Sequence, residues 1–187
     1  MSIIGHDKYI LSKYTDDDIY QMSNVWRYSG RLIHKAENLA EHSFYVAFNV
    51  HRLGEEFGVD AERVNKACKI ALCHDCGEIY TGDIPHSLKV YSPKIKDISE
   101  ELEVKLIKEN FPVFGESFES FNNREDEVVT LLVELADVSD VIMFIDRETR
   151  LGNIDNDILG IRSESIERFV KLSMQLETEL KKEREGK

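Results

Sequence analysis

Apolar residues recur at three-to-four spacing along most of the chain, and no stretch alternates apolar and polar as a half-buried strand does. Thr15-x-x-Asp18 resembles a capping box and predicts a helix running towards Tyr28, with Gly30 as its stop. Asn38-x-x-Glu41 predicts a second helix that ends before Gly58, with Phe44, Ala47, Phe48 and His51 on its apolar stripe. Asp60 is placed to cap a third, striped by Val64, Ala67, Cys68, Ala71 and Leu72; it is expected to run through His74-Asp75 and weaken at Gly77. Thr81-Gly82-Asp83-Ile84-Pro85 reads as a turn. Ser92-Pro93 pairs an N-cap with proline at the first helical position, opening a helix that includes Ile98, Leu102, Leu106 and Ile107.

Residues 111–124 mix Pro, Gly, Ser and Asn with aromatics and read as a loop packed on the body. Residues 125–151 form the most apolar segment, with Val128, Leu131, Leu132, Leu135, Val138, Ile142 and Ile145 on more than one stripe. A helix apolar over that much of its surface belongs at the centre of a bundle. Gly152 ends it, and a last helix covers about residues 157–182, its tail Lys181-Lys182-Glu183-Arg184-Glu185 expected to fray. The pattern predicts an all-α protein of about six main helices, in one compact domain over residues 1–187, with no repeat and no linker.

Composition narrows what such a bundle does. The formal net charge of −12 argues against sequence-independent grip on a nucleic-acid polymer, which needs a basic face. It leaves room for a small phosphorylated ligand, because a few local cations can outweigh the global sign within one cleft. No apolar run is long enough to span a bilayer. The first residues show no basic stretch followed by an apolar one, so no secretory signal is expected, and a cytoplasmic location is. Cys68, Cys73 and Cys76 are an odd set that suggests no disulfide framework; the Cys73-x-x-Cys76 pair lies on helical sequence rather than at a strand-to-helix turn.

The chemistry lies in polar residues that interrupt apolar surfaces. His42 stands one turn into its helix, His74 and Asp75 adjoin one another, Glu78 follows on the same side, and Asp137 sits between Leu135-Ala136 and Val138. Carboxylates in a core need partners or a cation. Mixed imidazole and carboxylate donors suit Mn, Co, Fe, Ni or Zn better than Mg or Ca. His34, His51 and His86 are read as ordinary core or surface histidines.

Taken in order, Glu41-His42, His74-Asp75 and Ala136-Asp137 resemble the signature of the HD-domain phosphohydrolase superfamily. Within it, Glu37-Asn38-Leu39-Ala40-Glu41-His42-Ser43 and His74-Asp75-x-x-Glu78-x-x-Thr81-Gly82-Asp83-x-Pro85 are similar to segments of the bacterial 5′-deoxynucleotidases, as is Gly152-Asn153. The resemblance covers residues 27–153. It implies a compact helical HD-domain fold, a divalent transition metal held by His42, His74, Asp75 and Asp137, and Glu78 and Asp83 as carboxylates working beside it. It also implies substrate contacts from Arg27, Tyr28 and Lys89, with Tyr28 standing where the family commonly has tryptophan and Trp26 as another stacking residue. The implied reaction is hydrolysis of deoxynucleoside 5′-monophosphates, in a homodimer. Two readings stay open beside it: a deoxynucleoside triphosphate triphosphohydrolase, and a non-catalytic nucleotide-binding module stabilised by its metal. The Thr81-Gly82-Asp83-x-Pro85 segment favours the nucleotidase over hydrolysis of cyclic dinucleotides or guanosine tetraphosphate.

Overall fold

Local capping sets most of the helix boundaries in the computed structural model, which describes residues 19–186. Asn38 accepts a hydrogen bond from the Glu41 amide and opens α1 (Leu39–Phe57). Asp60 does the same from the Arg63 amide at the start of α2 (Ala61–Cys73). Two short helices follow, α3 (Glu78–Thr81) and α4 (His86–Tyr91). Proline at the first turn opens both α5 (Pro93–Asn110) and α6 (Pro112–Asn122). Asp126 caps α7 (Glu127–Arg150), and Asp155 caps α8 (Asn156–Glu185). Among the described residues strand-like pairing is confined to an isolated antiparallel bridge between Trp26 and Asn38.

As its composition predicts, α7 is the hub: it packs against α8, α1 and α2. Val46, Val50 and Leu53 of α1, Ile70 and Ala71 of α2, Leu131, Leu132 and Leu135 of α7, and Leu176 of α8 meet in the main core. Each such aliphatic side chain contributes about 1.5–3 kcal/mol when fully buried. A second cluster, with Met22, Leu39, Cys73, Cys76, Ile107, Phe111 and Phe118, lies under the segment that follows α2.

Several expectations need correction. Thr15 and Asp18 lie outside the described residues, but the helix predicted towards Tyr28 stops early: a 3-10 turn (Gln21–Asn24) gives way to extended backbone at Val25. Residues 25–38 form a strap, tied at its ends by Arg27 N donating to Glu37 O and Leu39 N donating to Val25 O. Residues 111–124 are mostly the helix α6, not a loop, because Pro112 sits at a helix start, where its missing N–H costs nothing. α2 ends at Cys73, so His74-Asp75 lies on a tight turn. Ser92 precedes α5 but its side chain makes no capping bond. The tail through Glu185 is helical, with Glu183 of α8 bonded to Arg63 of α2 at 2.7 and 2.8 Å. The stripe assigned to α1 has the wrong phase: Phe44 and Phe48 are 62% and 61% exposed, and α1 turns His42, Val46, Val50 and Leu53 inward. Leu72 of α2 is exposed too.

Candidate metal centre

α1 carries His42 inward one turn from its start, where the side chain is wholly buried. α2 delivers the chain to His74 and then tightens: Cys76 N donates to Cys73 O, and Glu78 N donates to Asp75 O. That turn is crowded from behind. A Cβ on Gly77 would sit 3.0 Å from the Cα of Glu103 on α5, so any side chain there would push α5 away by a few tenths of an ångström. α7 brings Asp137 to the same point from the other side.

Donor atoms of His42, His74 and Asp75 converge, and Asp137 approaches His42 beside them. His42 Nε2 lies 3.2 Å from His74 Nε2, 3.3 Å from Asp75 Oδ2 and 3.4 Å from Asp137 Oδ1. His74 Nε2 lies 3.3 Å from Asp75 Oδ2. The Asp75 and Asp137 side chains are 22% and 27% exposed, which leaves the cluster open to solvent on their side. Two imidazole nitrogens and an Asp75 oxygen around one point, with the Asp137 carboxylate beside His42, are a donor set that suits a divalent transition metal.

Behind the cluster lies a layer of buried charge. His42 Nδ1 meets Asp140 Oδ2 at 2.7 Å. Arg27 Nη1 is 3.2 Å from Glu37 Oε2 and 3.6 Å from Asp140 Oδ2, and it also touches His42 Nδ1. Arg147 reaches Glu37 Oε1 at 3.4 Å. Burial and Arg27 push the His42 imidazole down, but hydrogen bonds to Asp140 and Asp75 more than offset them and raise it to about 9 in the metal-free chain. Burial would raise the Asp75 carboxyl, but His74 and His42 hold it well below the usual carboxylate range.

The remaining predicted residues border the cluster. Glu78 opens α3 and is buried; its burial, then Asp75 and Asp83, push its carboxyl up to about 10. Gly82, at φ 72°, turns the chain so that Asp83 Oδ2 accepts from the Tyr28 amide at 3.1 Å. That bond pins the strap beside Glu78 and holds Tyr28 at φ 60°, a backbone region unusual for an aromatic residue. The Tyr28 ring stacks on Phe144 with centroids 4.3 Å apart, and its hydroxyl is buried without a partner. Trp26 is exposed. Lys89 Nζ is 3.5 Å from Glu103 Oε1; burial pushes its ammonium down, and Glu103, Glu78 and Asp75 more than offset that. The Cys73-x-x-Cys76 thiols are unpaired and buried in the second core cluster.

Sequence reasoning missed four buried or half-buried carboxylates: Glu37, Glu103, Asp140 and Glu148. Asp140 left a signal, being a second acid one turn beyond Asp137 in the most apolar helix. Glu148 accepts from the His34 and Lys35 amides at 2.6 and 2.9 Å and from Asn153 Nδ2 at 3.0 Å. It fastens the strap to the end of α7, and Asn153 adds a bond to Leu32 O at 2.8 Å.

Comparison with known proteins gives this arrangement its context. The model of the 5′-deoxynucleotidase YfbR-like family matches residues 17–178. A 5′-deoxynucleotidase of Vibrio vulnificus (strain YJ016) is 36% identical over 114 residues, 54% of this chain and 57% of its own length. One of Pasteurella multocida (strain Pm70) is 40% identical over 70 residues, 36% of either chain. The chain thus aligns with little more than half the length of these curated relatives, or less. Among solved structures, a cyanophage S-2L HD phosphohydrolase bound to dA and one catalytic Zn2+ ion superposes with a TM-score of 0.70 at 20% identity, covering 92% of this chain and 99% of that one. The PH0347 protein of Pyrococcus horikoshii OT3 does so with a TM-score of 0.66 at 28% identity, covering 88% and 94%. The fold expectation, an all-α HD-domain architecture, is met.

Proposed function

The chain belongs to the YfbR-like 5′-deoxynucleotidase family, and from that premise we propose that it hydrolyses deoxynucleoside 5′-monophosphates to deoxynucleoside and inorganic phosphate. The observation that carries the reading is the meeting of His74 Nε2, Asp75 Oδ2 and Asp137 Oδ1 within 3.2–3.4 Å of His42 Nε2 at a solvent-open point. His42, His74, Asp75 and Asp137 would hold a divalent transition metal, one of Mn, Co, Fe, Ni or Zn. Such an ion supplies a lowered pKa for water and charge neutralisation on phosphoryl oxygens.

The chain's own side chains do the rest. The side-chain hydrogen bonds and ion pairs of Arg27 among the described residues run through Nη1, which leaves Nη2 and Nε as donors for a phosphate oxygen. Lys89, held near Glu78 by Glu103, adds a second positive charge on the opposite side. These local cations offset the acidic surface for an anionic substrate. Glu78 and Asp83 flank the cluster. Between them they take a proton from the water that attacks phosphorus and return one to the departing 5′-oxygen as the P–O bond breaks. Tyr28, stacked on Phe144, forms an aromatic wall for the nucleoside.

We extend the reading to one domain over residues 1–187 acting in the cytoplasm, a reducing compartment that its three unpaired cysteines fit. The active form is a homodimer; the exposed Phe44 and Phe48, one turn apart on α1, support an apolar contact between copies. Light scattering on the purified chain checks this, with a monomer mass overturning it.

The activity test is phosphate release across deoxy- and ribonucleoside mono-, di- and triphosphates with Mn2+ or Co2+. Phosphate from deoxynucleoside monophosphates is the expected result. Tripolyphosphate released from triphosphates would transfer the chain to the triphosphohydrolase reading. No product from any nucleotide, with Glu78→Ala leaving nucleotide binding untouched, would leave only a binding module.

A further inference from the structure

The two histidines of the cluster are oriented by different means. His74 Nδ1 donates to a backbone carbonyl, Ala71 O, at 2.8 Å, a partner no substitution removes. His42 Nδ1 instead faces a side chain, Asp140 Oδ2, at 2.7 Å, and both groups are fully buried. A neutral imidazole carries one N–H, and an ionised carboxylate only accepts. A cation on Nε2 leaves the ring's one N–H on Nδ1, where Asp140 accepts it; Arg27 Nη1, which also touches Nδ1, only donates and finds its acceptors in Asp140 and Glu37. Arg27 Nη1, 3.6 Å from Asp140 Oδ2 and itself tied to Glu37, places a positive charge beside that carboxyl group.

We propose that Asp140 is a positioning residue of the metal centre, which fixes the ring orientation and tautomer of His42 so that Nε2 is presented to the cation. It never touches substrate or metal. The inference rests on the reading of His42, His74, Asp75 and Asp137 as ligands. Partners of this kind at metal-bound imidazoles are worth about 10–100-fold in affinity. An asparagine in the same place preserves volume but can donate its amide N–H to the ring, which stabilises the opposite tautomer.

The test uses the full chain. Co2+ affinity is read from visible absorption, and the His42 tautomer from nitrogen NMR of the metal-free, 15N-histidine-labelled protein at pH 10, where the ring is neutral. Asp140→Asn should weaken Co2+ binding by about 10–100-fold and move the His42 proton from Nδ1 to Nε2, with an unchanged circular dichroism spectrum. Asp140→Ala should weaken binding similarly. Ser139→Ala, the adjacent buried residue on α7 whose hydroxyl meets Arg52 at 3.1 Å, controls for disturbance of the helix and should leave both readouts as in the wild type. Wild-type affinity and an Nδ1–H ring in Asp140→Asn overturn the proposal while the ligand reading stands. Equal weakening by Ser139→Ala and Asp140→Asn overturns it as a mere packing effect. Absence of Co2+ binding by the wild-type chain overturns the ligand reading and the proposal together.

Discussion

Glu78 and Glu148 are buried to the same degree, 6% and 0% exposed, and carry opposite charge states. At Glu148 burial alone would raise the carboxyl, but three N–H donors, two from the strap backbone and one from Asn153, hold it below the ordinary range. At Glu78 no N–H among the described residues donates to the carboxylate; Asp75 and Asp83 add repulsion to burial, and Lys89 pulls only weakly the other way. Burial sets the cost of a charge, and the donors around it decide whether the cost is met. The end of α7 uses an ionised glutamate as a structural clasp. The turn before α3 keeps a glutamate that holds its proton far above the usual carboxylate range, which suits chemistry rather than architecture.

The largest expected break in that contrast is catalytic. Glu78→Gln should lower kcat for phosphate release by about 10²–10⁴ while Co2+ binding persists; unaltered turnover would remove Glu78 from the reaction. Next comes stability. Glu148→Ala strands two strap amides and should cost about 2–4 kcal/mol, seen as a lower thermal midpoint, each kcal/mol being worth about 2–4 °C in a chain of this size. Because the strap carries Arg27, KM should rise in the same variant.

The pH dependence sharpens the comparison further. In the metal-free protein, Glu78 keeps its proton up to about 10, whereas in the unfolded chain it loses it near a pKa of about 4.3. Between those values the folded state binds the extra proton, so its contribution to stability falls as pH rises. Glu148 has the opposite sign: its contribution is in place above the unfolded pKa and is lost as pH falls through the depressed folded one. Melting curves with EDTA should show Glu78→Gln flattening the loss of stability from pH 5 to 9, and Glu148→Gln flattening the loss in acid. The smallest effect belongs to the strap's surface tie. Arg31 pairs with Asp157 in the open, so Arg31→Ala should cost no more than about 1 kcal/mol by denaturant titration.

What the sequence made legible follows from the range of the interactions involved. Asn38, Asp60 and the apolar wealth of α7 act within a few residues, and those elements appear where expected. The polar interruptions at His42, His74, Asp75 and Asp137 are costly enough to stand out; His42, His74 and Asp75 come together in space, with Asp137 beside His42. The roles of Glu148 and Asp140 are set by partners 113 and 98 residues away, so the sequence offers at most the hint of a second acid after Asp137 in an apolar helix. Residues 111–124 were misread because proline marks a helix start as often as a break, and only packing distinguishes the two. The phase of α1 was misread because apolar side chains lie all around it. The inward face is chosen by the histidine that must reach its partners, leaving Phe44 and Phe48 outside.

The burial of Cys73 and Cys76 beside Met22 turns the chain into its own sensor. Only thiolates react with alkylating reagents, and burial pushes Cys76 up to about 12 and Cys68 up to about 11. Cys76 is fully buried next to Asp75, so iodoacetamide labels it only from conformations that expose the floor beneath the His74-Asp75 turn. The labelling rate at Cys76 thus times the breathing of that floor, and a cation that clamps the turn from above should slow the clock.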